Sequence, residues 1–482
     1  MGTGDLLVCL AVFVPTLGAF ALPLVGGTSR EARNGLACGL VFVSLCCALG
    51  LIPAVMAGRT PGIHIAGPLG FDLALRADAL AVFVAIVSSF ISTIILIYST
   101  DYISHYEHQD EYYLMVVLFL GAMMGLVFAA NLIVLYVFWE ITAIASWRLI
   151  GFFRDPQHVI RADKAFLVTV FGSVAMLLGF VTIYAQTGSF NLDAIRTALR
   201  ASPAPNLAVA LILVGILSKS ATLPFHTWLP DAGVAPSPVT ALLHAAVLVK
   251  IGVYVYARLF VGTIPIAAFW HTVVPGVAAA SALVSAGAAL LETDLKRLIA
   301  YSTISQIAFI FLGFASGTEI GVAGGLLYIL MHGIAKGGLF LCAGIVEQNA
   351  KTKDIRQMGG LMRTMPVTAV AFLFCAFSVM GVPPFGGFFS KYMVMSASAQ
   401  GQPLWITLTF LVGAFLTIIY LFRVFYAVFL GEPQRKPVRE GSPVMVACVA
   451  VLAVVALASG IVIQPAAQLA QTATQQMAEV MR

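Results

Sequence analysis

Residues 207–224 read LAVALILVGILSKSATLP: an apolar run, a lysine at position 219 and a proline at position 224. Sustained over the chain in repeated runs of roughly 20 residues, such apolarity can be buried only by lipid and other membrane helices. Proline removes an amide donor and clashes with the preceding turn, so the helix must break near Leu223 and Pro224, just past Lys219. A second copy of this device stands at Gly381-Val382-Pro383-Pro384, ahead of Lys391. Broken helices at comparable positions in two halves of a membrane chain point to an inverted repeat with an ion path at its interface. Proline kinks that only shape packing are the plainer alternative.

The remaining sequence agrees with a membrane setting. Of 482 residues, 60% are hydrophobic and 10% charged, where a soluble chain is about a quarter charged. The mean hydropathy is +0.99. An ordinary soluble enzyme is excluded, and the pattern predicts an all-α polytopic membrane protein of about 14 transmembrane helices. Residues 1–112 are expected to hold helices 1–3, and 113–260 a first inverted five-helix repeat (helices 4–8) broken near 223. Residues 261–430 would form the second repeat (helices 9–13), broken near 382, and 431–482 the last transmembrane helix with a short Ala/Gln-rich tail. That tail reads as a surface helix or as frayed coil. The first apolar run has no basic leader and reads as a retained helix. No loop exceeds about 20 residues, which leaves no room for an extramembrane catalytic domain.

The formal charge of +5 is topological rather than a sign of a nucleic-acid partner. With the N-terminus outside, cytoplasmic loops hold about 14 Lys and Arg, among them Arg154, Lys296, Arg297, Lys351, Lys353, Arg356, Arg435, Lys436 and Arg439, against about six outside. Both termini are therefore expected on the non-cytoplasmic side of the inner (cytoplasmic) cell membrane. Seven cysteines fall inside apolar runs without spacing suited to zinc, haem or an iron–sulfur cluster. No metal or cofactor is expected in this chain.

Ionisable groups at lipid depth are costly, so each is a functional candidate with a partner to be found. Glu140, in Phe138-Trp139-Glu140-Ile141-Thr142, must be protonated, paired with a cation or beside water. A fixed Glu–Lys brace is its bland reading. Lys219 and Lys250 sit in consecutive spans, where burial brings the charged and neutral forms of an amine closer in free energy. His244 precedes Lys250 by six residues, about 9 Å along the axis and on another face, so water would have to bridge them. A hydrogen-bonded core histidine is the alternative for His244. His332 and Lys336 are four apart on one helix face among glycines, and Lys391 is too deep to reach the surface easily. Arg148, Arg258 and Arg423 lie near span ends and read as snorkelling. Glu292, Asp294, Lys296 and Arg297 read as a solvated turn. Asp101, His105, Glu107, His108, Asp110 and Glu111 form a wet, acidic, His-bearing loop.

These residues carry a resemblance. The runs Phe138 to Thr142, Lys219 to Pro224, Trp228 to Ala232, Ala235 to Val239, His244 to Tyr254, Asp294 to Leu298, Tyr301 to Gln306 and Gly381 to Lys391 occur in order. In them the chain resembles the antiporter-like subunits shared by respiratory complex I, Mrp-type Na+/H+ antiporters and membrane-bound energy-converting hydrogenases. Glu140-Ile141-Thr142 with Ser146-Trp147, and Lys164-Ala165 with Gly172-Ser173, look most like the D-type subunit of hydrogenase 4-type formate hydrogenlyases. The chain departs from the large distal complex I subunit in ending soon after the last span, and it is far shorter than the Mrp A-type subunit. Arg148 stands where the family commonly has an apolar residue.

The resemblance implies a proton path through Glu140, Lys219, His244, Lys250, His332, Lys336 and Lys391. Glu140 and Lys219 would be a coupled pair, Lys250 the central lysine, His244 and His332 linking histidines, Lys391 the terminal group and Lys336 an accessory. Pro224, Pro383 and Pro384 would mark the helix breaks. It also implies partners: other membrane subunits, the lipid bilayer and a peripheral redox arm carrying iron–sulfur clusters, with nickel in a hydrogenase arm. Protons, or Na+, would be the transported ions. The rival readings are a component of an Mrp-type Na+/H+ antiporter, a membrane component coupling proton flow to inorganic carbon uptake, and a purely structural role.

Overall fold

Short polar side chains set where the helices begin. Asp78, Asn131, Asp155, Asn191, Asp294, Thr318, Asp354 and Ser442 each accept a hydrogen bond from a first-turn amide of the helix that follows. Those amides have no partner inside the helix, so each cap answers a backbone need at the point where an apolar run starts. The computed structural model describes residues 2–68, 71–200, 202–432 and 439–481. Arg435 and Lys436 of the basic loop and the final Arg482 lie outside the described residues.

Short helical turns such as Leu192–Ala198 and Ile355–Gln357 aside, the helices in chain order are α1 (Thr3–Gly26), α2 (Arg30–Met56), α3 (Ala79–Tyr102), α4 (Gln109–Phe128), α5 (Leu132–Ile150), α6 (Pro156–Thr187), α7 (Asn206–Lys219), α8 (Ser237–Val261), α9 (Trp270–Leu291), α10 (Leu295–Ala315) and α11 (Glu319–Ala350). They continue with α12 (Pro366–Met380), α13 (Gly386–Gly401), α14 (Leu404–Leu430), α15 (Pro443–Ile461) and α16 (Gln464–Met481). Among the described residues twelve are long and apolar enough to cross a membrane, with α7 and α12 as shorter apolar helices. The two expected spans missing from the twelve are the two that break. The chain is a multi-pass, all-α membrane protein with one addition, a hairpin of β1 (Gly62–Ile65) and β2 (Leu73–Arg76) in antiparallel register. Its four-residue strands lie between α2 and α3, and the Asp5 carboxylate of α1 accepts a 3.0 Å hydrogen bond from the Gly62 amide.

Burial sorts the helices. α8 is buried throughout and α3, α10 and α11 almost throughout, whereas α1, α2, α6, α14 and α15 bury well under half of their apolar stretch. Along α6, Ile160, Leu167, Phe171, Val174, Leu178 and Val181 are exposed. Their spacing of three, four and seven makes one apolar stripe on the outside of the bundle. The candidate path residues lie toward the other extreme, with Lys250 and Lys336 on helices enclosed by protein. The tail is a helix, α16, with Leu469, Ala470, Ala473 and Met477 buried against the bundle.

The two halves share a spacing. The helix caps Asn131 and Asp294, Asp155 and Thr318, and Asn191 and Asp354 are each 163 residues apart, by 294 − 131, 318 − 155 and 354 − 191. Asn131 forms an antiparallel bridge with Asn191, and Asp294 forms the same bridge with Asp354.

Two readings are corrected. Arg258 does not snorkel: it is 6% exposed and pairs with Asp78, the cap of α3. Lys296 is no part of a solvated turn. It is 1% exposed, its Nζ 3.0 Å from Glu347 and donating to the Ala235 carbonyl at 2.8 Å. Both acids lie far from their cations in sequence, which is why neither pair could be read from local pattern. Arg148, read as snorkelling from a position where the family commonly has an apolar residue, pairs with Glu111, which also holds Arg154 at 2.6 Å. The acidic loop is likewise occupied by pairing: Asp110 meets Arg33 at 2.7 Å and Asp101 accepts from Ser442.

Candidate functional site

The first cluster forms where α7 stops. Lys219 is its last residue and is fully buried. Past it the chain turns through Ser220 to Thr227, and the freed backbone finds side-chain partners: Leu223 N donates to Ser281 Oγ at 3.1 Å, and Trp228 Nε1 donates to the Ser218 carbonyl at 3.0 Å. Such irregular backbone is tolerated at membrane depth only when it is satisfied this way. Pro224 thus lies in the break, and the helix ends at Lys219 itself. Lys219 Nζ donates to the Trp139 carbonyl at 3.2 Å and sits 5.2 Å from the centre of the Trp139 ring. Glu140 is the next residue on α5 and lies within electrostatic reach of Lys219. The two do not close into a contact ion pair, and Glu140 Oε1 is buried without a hydrogen-bond partner.

The second cluster is built on a distorted α8. Leu242–Ala246 forms a π turn, and the backbone breaks from helical geometry at Val247. Ser88 of α3 donates to the Ala246 carbonyl at 2.9 Å. The wide turn carries His244, whose ring lies 4.5 Å from that of Phe340. Lys250 follows on the regular part of α8, and its Nζ lies 2.2 Å from where a Cβ on Gly333 would be. Lys250 Nζ and both ring nitrogens of His244 and His332 are buried without hydrogen-bond partners. His332 is the meeting point, within electrostatic reach of Lys250, Lys336, His244 and Lys391.

The third cluster is joined by direct hydrogen bonds. Lys336 Nζ donates to Ser302 Oγ at 2.6 Å and to the Ile299 carbonyl at 3.2 Å. Tyr420 OH lies 2.8 Å from Ser302 Oγ and 3.2 Å from Thr417 Oγ1. Gln306 Nε2 donates to Thr417 Oγ1 at 3.2 Å, and Tyr328 OH donates to Gln306 Oε1 at 2.5 Å. The Tyr328 ring then faces Lys391 Nζ at 5.6 Å, with the Phe309 ring at 4.7 Å. Lys391 sits on α13 and reaches back across the second break, at Gly381 to Phe385, to donate to the Val379 carbonyl at 2.6 Å. An ammonium there meets the negative end of the α12 dipole. Pro383 and Pro384 lie inside that break, where Gly381 has φ +80° and its Cβ position is 3.2 Å from the Lys391 side chain.

All seven sequence candidates are therefore buried or half-buried, and they fall into these three adjacent groups. Sequence reasoning missed Ser88, Ser302, Gln306, Tyr328, Thr417 and Tyr420. Their signal was present, since Ser302 and Gln306 (i, i+4) and Thr417 and Tyr420 (i, i+3) put polar groups on one face of apolar helices. Among the described residues, Lys219, Lys250, Lys336 and Lys391 have no carboxylate in contact, unlike Arg258 and Lys296 with their acids. Paired buried cations brace helices, whereas an unpaired buried amine is free to exchange its proton. No group of three or more His, Cys, Asp or Glu suited to a metal occurs among the described residues.

The comparisons agree with this architecture. Residues 129–417 match the family model "NADH:quinone oxidoreductase/Mrp antiporter, TM", and residues 63–113 match "NADH-Ubiquinone oxidoreductase (complex I), chain 5 N-terminus". The chain is 35% identical over 77% of its length to the A-type subunit of the Na(+)/H(+) antiporter of Alkalihalophilus pseudofirmus, spanning 50% of that protein. It is 31% identical over 88% of its length to NAD(P)H-quinone oxidoreductase chain 5 of Picosynechococcus, spanning 66% of it. In fold it is similar to a chain of the Mrp complex from Dietzia (TM-score 0.89, 23% identity, 99% of this chain and 100% of that one). A chain of the archaeal membrane-bound sulfane sulfur reductase is similar as well (TM-score 0.90, 24% identity, 98% of each). With its buried lysine line between two helix breaks, the chain belongs to the NADH:quinone oxidoreductase/Mrp antiporter transmembrane family.

Proposed function

We propose that this chain is the proton-translocating, antiporter-like subunit of a redox-driven multisubunit membrane complex of the formate hydrogenlyase or complex I-like kind. The observation that carries this is the run of four buried lysines and two histidines from one break to the other, none in contact with a carboxylate among the described residues, with Glu140 adjoining Lys219. A proton held at one lysine raises the free energy of holding one at the next, so a charge arriving near Glu140 is passed on as a shift along the line. Residues 113–260 and 261–430 are the inverted repeats, and the 163-residue spacing of their caps supports that division. The chain sits in the cytoplasmic membrane with both termini outside. Other membrane subunits flank it, and a peripheral arm supplies the iron–sulfur clusters, with nickel where that arm is a hydrogenase.

A second reading is favoured by one observation, the likeness to the A-type proteins of Na(+)/H(+) antiporters: a gradient-driven Na+/H+ antiporter module. Sodium prefers oxygen ligands, and this path offers amines and imidazoles, which favours protons. The test is a mild-detergent pull-down of the tagged chain with partner identification and an iron assay, then proton uptake by inverted membrane vesicles. Iron–sulfur partners and loss of uptake in Glu140→Gln and Lys219→Ala are expected. An iron-free assembly of antiporter-like chains overturns the redox-driven reading, and a zinc-protein partner would move it to inorganic carbon uptake.

A further inference from the structure

On the face that carries the start of α3 and the end of α8, a cavity of about 310 Å³ gathers Arg76, Arg196, Arg200 and Arg258 beneath α16, which contributes Gln476 and Met477. The acids beside them are Asp78, held by Arg258, and Asp193, held by Arg76 at 2.7 Å and Arg196 at 3.3 Å. Among the described residues, four guanidinium groups against two carboxylates leave two positive charges. Their donors are unequally used. Arg258 spends Nε on Tyr254 and both terminal nitrogens on Asp78, while Arg76 and Arg196 each touch Asp193 through one terminal nitrogen. No acid among the described residues pairs with Arg200, which is exposed.

The location sharpens the chemistry. In the orientation proposed above this is the outer face, where loops carry few basic residues, so the gathering of four in one cavity runs against the topological trend. Planar guanidinium forks match phosphate oxygens two at a time. Shortly after Arg200 the chain enters α7, whose Leu207 is 65% exposed. A phosphate held here would have lipid-facing helix beside it for an acyl chain. We propose that this cavity binds a phosphate group, as the headgroup of an anionic phospholipid, and so ties α16, the β-hairpin and α8 together.

The test uses the full chain in the complex with which it purifies, stripped of lipid in detergent. Phosphatidylglycerol, phosphatidylcholine or inorganic phosphate is added back, and lipid retention by native mass spectrometry and the thermal midpoint are read. Phosphatidylglycerol is expected to be retained and to raise the midpoint, with apparent affinity falling roughly tenfold or more in the Arg196→Gln, Arg200→Gln double variant. Arg356→Gln, a charge loss on the opposite face, should leave binding unchanged. Equal protection by inorganic phosphate supports the phosphate site and assigns a free anion as its source. Equal retention of phosphatidylcholine, or unaltered phosphatidylglycerol binding by the double variant, overturns the proposal.

Discussion

Gly333→Ala tests the central lysine without touching a titratable atom. A Cβ there would lie 2.2 Å from Lys250 Nζ, 2.4 Å from Ile91 Cδ1 and 3.1 Å from the Ala245 carbonyl oxygen. Carbon needs roughly 3.5–4.0 Å from such neighbours, so the ammonium and the isoleucine tip must each retreat by about 1.5 Å. Overpacking of this kind costs about 1–3 kcal/mol, offset by the roughly 1 kcal/mol that Ala gains over Gly in a helix. The fold should therefore survive with a small loss of stability. Transport should not, because misplacing a reacting group by about 1 Å costs on the order of a hundredfold. The control is one turn away: a Cβ on Gly337 would meet Ile91, Leu452 and Ala245 at 3.5–3.8 Å, ordinary contact, so Gly337→Ala should transport normally and be equally or more stable. The assay is dye-quench proton uptake by inverted vesicles, beside thermal melting of the purified protein. Wild-type uptake in Gly333→Ala, or equal loss in Gly337→Ala, would refute the assignment of Lys250's position as decisive.

Other outcomes follow from the same geometry. Tyr420→Phe removes the hydroxyl between Ser302 and Thr417, and it should slow proton uptake while costing only about 0.5–1.5 kcal/mol in melting experiments. Glu347→Gln leaves the nearly inaccessible Lys296 without its carboxylate and should destabilise the chain by about 3–5 kcal/mol, read by denaturation. Asp231 lies outside the spans; burial alone would raise its pKa, but Lys164 and Arg297, both at 2.7 Å, hold it below the usual carboxylate value. Its stabilisation is thus complete above the ordinary carboxylate pKa and fades as pH falls through the lowered one. The midpoint gap between wild type and Asp231→Asn should be open at neutral pH and closed in strong acid. A gap that stays constant with pH would show that the pairing contributes nothing.

What the sequence made legible was whatever one helix announces alone. A lysine inside an apolar run is costly wherever its partner is, and a proline breaks a helix whatever surrounds it, so Lys219, Lys250, Lys391 and both breaks could be read directly. What escaped depended on distant residues. Asp78 and Arg258 are 180 positions apart, and only packing distinguishes that paired arginine from a snorkelling one. Lys296 stood in a charged turn that looked wet, until the fold placed the Ala235 carbonyl and Glu347 over it. The hydroxyl chain from Ser302 to Tyr328 draws on three helices, and serine, threonine and tyrosine are too common in membrane helices to stand out singly. The hairpin strands were too short for alternation to register.

The 163-residue spacing adds a step that neither half shows alone. Applied to α5 and α10, it pairs Trp139 with Ser302, and these two positions each receive a lysine: Lys219 at the Trp139 carbonyl, Lys336 at Ser302 Oγ. The lysines arrive from different helices, Lys219 from α7 and Lys336 from α11, where the spacing pairs Lys336 with Ser173 of α6. Glu140 pairs with Thr303, so the second half has a lysine at the equivalent place and, among the described residues, no carboxylate beside it. A cation in the first half can be held or released by attraction to Glu140. In the second half Lys336, His332 and Lys391 are instead within repulsive reach of one another. If the proposed proton path holds, a repeated scaffold with this asymmetric charge means that attraction to Glu140 tunes the first half and repulsion among amines and imidazole tunes the second.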